Sequence, residues 1–238
     1  MTTTLATPPK RHSPAALAVF DELDSRVVDV FADIHAWRGW KFINNPKAPK
    51  PQSEAVVHEI RATTRWYQSH RAEAALALAN HLPAEEADIV KALSDELVDD
   101  PDAERHDYAS LLGRPLAPAC FAAAAIRARI AGTEHGLGLI GADYLFEQMG
   151  ALIVQATDPA PPQAHATAET PLVIEPTPNL EQRAQMMKQL ILDVVTRLPD
   201  SAAAMLRGFD CFRVVYPLRV WDEAYERALK GGDRFWPR

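Results

Sequence analysis

Residues 66–113 read WYQSHRAEAALALANHLPAEEADIVKALSDELVDDPDAERHDYASLLG, and their pattern decides the fold class. Small and straight-chain residues dominate from Ala72 to Ala79, a composition that favours helix. Pro83 then opens a second helix, predicted over Ala84–Val98. Glu85 and Glu86 fall in its first turn, where the helix dipole favours acid. Asp99-Asp100-Pro101 breaks that helix, because proline lacks the donor and clashes with the preceding turn. A short continuation over His106–Leu112 ends at Gly113. Two amphipathic helices joined by a proline turn are the building unit of an all-α bundle.

Working outward, the same grammar recurs. Ser13-Pro14 is a helix start, an N-cap followed by a first-turn proline. Leu17, Phe20, Val27, Val28, Phe31 and Ile34 follow at roughly helical spacing and end near Trp37-Arg38-Gly39-Trp40. The proline-rich stretch Asn44–Pro51 is expected to be a loop. Ser53 is the expected cap of a helix reaching about Asn80. Further helices are predicted over 117–131, 137–155, 178–197, 200–213 and 218–229. Residues 1–12 read as a disordered tail. Residues 13–238 read as a single helical domain, with a surface excursion at 158–178 that holds six prolines. No strand alternation and no internal repeat is found. The expectation is a compact up-and-down bundle of about seven helices.

Composition excludes several classes. The 238 residues carry a formal net charge of −7, and their basic residues are dispersed, so no nucleic-acid footprint is expected. No apolar run is long enough to span a membrane. The N-terminus lacks a signal-peptide core, and a cytoplasmic location is expected. Cys120 and Cys211 lie in unrelated surroundings, outside any CxxC pair, and are expected to be buried free thiols.

The residues with metal-ligand chemistry in the deciding stretch are Glu96 and His106. On a straight helix they would stand about 80° apart around the axis and about 15 Å apart along it. Only a bend at Asp-Asp-Pro could bring both to one ion. A carboxylate and an imidazole suit non-haem iron, although acids on a solvated helix face are commonly nothing more. Cys120 and Cys211 have no base beside them in sequence. Thr133-Glu134-His135-Gly136 reads as surface capping, and Met186-Met187 as core.

The stretch from about Thr64 to Gly113 resembles helices of the heme-oxygenase-like diiron oxidases and oxygenases, a superfamily that includes thiaminase II and the pyrroloquinoline-quinone synthase fold. The resemblance rests on Trp66-Tyr67, Glu96, His106 and Leu111-Leu112-Gly113. It also rests on Gly138–Glu147, a small-residue helix ending in an aromatic and then a Glu, and on the aromatic last helix around Trp221–Tyr225. Gly138, Gly141 and Ala142 make a flat face that allows close helix packing. The resemblance implies a heme-oxygenase-like fold, iron held by Glu96, His106 and Glu147, and dioxygen activation against a small-molecule substrate in specialised metabolism. A non-catalytic relative would keep the bundle and serve as a binding or partner subunit, a homodimer formed through an exposed helix face.

The departure lies on the helix after Glu147. The family carries His-x3-Asp-x2-His there. The matching positions here fall near Asn179, Arg183 and Met186, and the last histidine of the chain is His165. Three readings stay open. Glu96, His106 and Glu147 hold one metal with water; or His58, Glu59, His70, Glu73 or His135 complete a rearranged site; or the site is metal-free and Arg183 pairs with the carboxylates. The functional alternatives are an iron oxidase or oxygenase and a metal-free or non-catalytic binding or partner protein.

Overall fold

Ser13 begins the first helix as its sequence requires. Its Oγ accepts the amide of Ala16 at 3.1 Å, and Pro14 fills the first turn. The computed structural model describes residues 12–69, 71–98, 118–157 and 180–230. Their elements are α1 (Pro14–Ala36), α2 (Arg38–Ile43), α3 (Lys50–Ser69), α4 (Arg71–Ala79), α5 (Ala84–Val98) and α6 (Pro118–Ala131). A 3-10 turn over Glu134–Gly136 leads to α7 (Gly138–Thr157), α8 (Leu180–Arg197), α9 (Ser201–Arg213) and α10 (Leu218–Lys230). Every regular element among the described residues is helical, so the chain is an all-α bundle. No helix among them is long and apolar enough to cross a membrane. The expected tail up to residue 11 and the proline-rich excursion at 158–178 lie outside the described residues.

α7 lies at the centre, packed against α6, α8 and α9, while α1 covers α8, α4 pairs with α5, and α10 lies on α3. One contiguous apolar core runs from Leu23 and Ile34 of α1 through Leu139, Leu145 and Met149 of α7 to Phe209, Phe212 and Trp221. Met187 is core and Met186 packs beside it, as the sequence implied. The small-residue face of α7 meets α9 backbone to backbone. A Cβ at Gly141 would collide with the carbonyl of Met205, and one at Gly208 with the carbonyl of Gly138. Only hydrogen fits at these positions.

Three details extend or correct the expectations. First, the helix from Pro14 ends at Ala36, near Trp37 as expected. Trp37 adopts an extended conformation (φ −66°, ψ 139°), and the short helix α2 follows it. The indole folds over Gly39, where a Cβ would overlap the ring, and its Nε1 donates to Asp222 Oδ1 at 2.8 Å. Second, the helix assigned a Ser53 cap begins at Lys50. Pro51 sits in its first turn, where a missing amide costs no hydrogen bond, and Ser53 Oγ donates instead to the carbonyl of Ile43. Third, both cysteines are free, but Cys211 is exposed on α9 while Cys120 is buried.

Candidate functional site

Five buried charged side chains converge on the inner face of α7. Asp143 and Glu147 are one helical turn apart and so share a face. Arg71 arrives from the first turn of α4, Arg127 from α6 and Arg183 from α8; all five residues are at most 7% exposed. Glu147 Oε1 accepts from Arg71 Nη1 and Arg183 Nη2, both at 2.7 Å, and Oε2 accepts from Arg183 Nε at 3.0 Å. Arg183 Nη2 also reaches the carbonyl of Leu93 on α5, at 3.3 Å. Asp143 takes Arg127 in a two-pronged pair, with Nη2 donating to Oδ2 at 3.1 Å, and Arg71 Nε lies 3.3 Å from Asp143 Oδ1. Arg71 therefore bridges the two carboxylates.

An aromatic wall backs this cluster. The Arg71 guanidinium lies 4.6 Å above the Phe146 ring, and that of Arg127 lies 5.9 Å from the Tyr67 centroid. Tyr67, on α3, stacks with Phe212 and Tyr216 at centroid distances of 5.3 and 5.8 Å. Burial pushes the Tyr67 phenol up to about 12, against the pull of the Arg127 charge. Burial likewise raises the pKa of Tyr216.

Glu147 shows how the balance falls. Burial alone would raise its pKa, but the charge of Arg71 and the hydrogen bonds and charge of Arg183 outweigh it and hold the carboxyl at about 2. Glu147 is therefore ionised across the neutral range, and it is unsuited to general acid–base work there. Beside the cluster lies a cavity of about 20 Å³. It is lined by Arg71, Asp143 and apolar side chains including Leu78, Leu93 and Met187, and has room for a single water.

Of the predicted ligands, Glu147 is in the cluster. Glu96 lies on α5, but its side chain and the whole of His106 are outside the described residues. The pairing of Arg183 with Glu147, one of the three sequence readings, is present. The surroundings of Glu147 do not fit a metal cation: both of its oxygens accept from guanidinium groups, and an ion would have to displace two fixed positive charges. Among the other candidates, His58 is exposed on α3. Glu59 is buried, with Oε2 4.0 Å from Arg227 Nε. The side chains of His70 and Glu73 lie outside the described residues. His135 is on the surface beside His81. No group of three or more His, Cys, Asp or Glu side chains suited to a metal is found among the described residues.

Sequence reasoning singled out Glu147 and Arg183 but missed Arg71, Arg127 and Asp143. A signal was present. Arg71 opens RAEAALALA, apolar and small apart from Glu73, and Arg127 interrupts FAAAAIRARI. A charged residue on an apolar helix face needs a buried partner. The acids of GADYLFEQ, four apart on a helix apolar on all sides, are such partners.

Compared with known proteins, the chain matches no protein-family model, no curated protein and no solved structure.

Proposed function

We propose that the chain is a non-catalytic bundle on a heme-oxygenase-like plan, metal-free at its buried cluster, serving as a binding or partner protein. The observation that carries the reading is the capture of both Glu147 oxygens by Arg71 and Arg183. Arg183 stands where the resemblance puts a carboxylate ligand, on a helix without histidine. The positive charge that iron would bring to Glu147 is supplied by the protein itself. The carboxylate is then a structural counter-ion that ties α4, α7 and α8 together.

Anaerobic reconstitution with Fe(II), followed by desalting and iron analysis, tests this. The expected result is that no iron stays with the chain. About one or two irons per chain, lost in both His106→Ala and Glu147→Gln, would overturn the proposal and restore an oxygen-activating enzyme.

A further inference from the structure

Away from the buried cluster, two histidines meet at one end of the bundle. His81 is in the turn between α4 and α5, where its amide donates to the carbonyl of Leu78 at 2.9 Å. His135 is in the loop between α6 and α7. Both are exposed, and their ring centroids are 5.2 Å apart with the planes tilted by 42°.

The backbone holding His135 is unusual. Glu134, His135 and Gly136 all have positive φ, at 48°, 56° and 75°. The turn is closed by the Gly136 amide donating to Thr133 at 2.8 Å and by the Leu137 amide donating to Glu134 at 3.2 Å. Glu134 pairs with Arg207 on α9, which anchors the loop from its other side. A right-handed turn would send the His135 ring elsewhere. The left-handed conformation, which two non-glycine residues adopt at a steric cost, is what sets it beside His81.

The geometry points to a two-imidazole site for a divalent transition metal at His81 and His135. With zinc–nitrogen bonds of about 2.0–2.1 Å and a tetrahedral angle, two imidazoles on one ion have centroids about 5 Å apart. The observed 5.2 Å matches that spacing before any ion binds. Imidazole is a preferred ligand of copper and zinc, and water fills the remaining positions of an exposed site. A bound ion would clip the α4–α5 turn to the α6–α7 loop. This site is independent of the metal-free reading of the buried cluster, since it shares no residue with it.

The test uses the untagged full-length chain, stripped with a chelator and titrated with Cu(II) and with Zn(II) by calorimetry. One ion per chain is expected, with Cu(II) tighter than Zn(II). The Cu(II) spin-resonance spectrum should show two imidazole nitrogens. His81→Ala and His135→Asn should each weaken binding by roughly tenfold or more, since even outer-shell partners of a metal ligand are worth 10- to 100-fold. Asparagine accepts the left-handed backbone, so His135→Asn removes the ligand without refolding the turn. His58→Ala, on α3, should bind as the wild type does. Absence of saturable binding, or wild-type affinity in either ligand variant, would overturn the assignment.

Discussion

Glu147→Gln removes one charge from the buried cluster and almost no volume. The amide keeps one acceptor oxygen but turns an NH2 toward a guanidinium, and the negative charge that Arg71 and Arg183 share at this position is lost. Its cost can be gauged in two ways. A carboxyl shifted from 4.5 to about 2 corresponds to about 3 kcal/mol at neutral pH. Removing one partner of a buried ion pair costs about 3–5 kcal/mol. The two figures agree, and about 3 kcal/mol is expected. In urea this is a midpoint lowered by roughly 1–2 M with little change in slope. In heat it is a Tm lowered by roughly 6–12 °C for a chain of this size. The sign of the pH dependence follows from the depressed pKa. The stabilisation is complete above the unfolded-state value of about 4.5 and is lost as pH falls toward 2. Wild type and variant should therefore converge in acid and diverge at neutrality. A difference at pH 7 below about 0.5 kcal/mol, the range of ordinary surface substitutions, would refute the buried pairing.

Three further outcomes follow from packing and burial. Gly141→Ala should destabilise by about 2–3 kcal/mol, because its Cβ meets backbone of α9 that can yield only if the helices part. Gly150→Ala on the same helix meets nothing within 4 Å and should stabilise by about 0.5–1 kcal/mol; paired urea titrations check both. In a spectrophotometric titration, Tyr67, Tyr144 and Tyr216 should stay un-ionised well above pH 10 while the chain is folded, since burial raises all three. The unfolded chain ionises them earlier, so stability should fall as pH rises past 10. Five tyrosines titrating together near 10 in the folded protein would contradict this.

The helical class was legible because its signals are local. Ser13-Pro14 starts a helix wherever it sits in a fold, and Pro83 does the same for α5. The glycine face of α7 could be read because three small residues within one turn have few other uses. The end of the first helix at Trp37 was legible, but α2 beyond it was not. The indole there is held by Asp222, 185 positions away, which accepts a hydrogen bond from its Nε1. The cluster was half legible for the same reason. Glu147 stood out as a lone acid after an aromatic, and Arg183 as a cation where the resemblance expected a ligand. Arg71 and Arg127 acquire meaning only when α4 and α6 are laid against α7, and no local pattern specifies that meeting. The His81–His135 contact depends on two positive φ values that neither residue type announces.

The docking of the first helix against the late ones bears on how the chain is made. The Ser13 amide donates to Thr196, a separation of 183 positions, and the inward face of α1 is closed by α8 and α9. At a synthesis rate of about 5–20 residues per second, that face waits roughly 10–40 s for its cover. During that interval Leu23, Val27, Val30 and Ile34 form an apolar stripe with nothing to bury it. On the ribosome the nascent chain thus carries uncovered apolar surface on this helix, and that surface is closed only after residues 190–212 emerge.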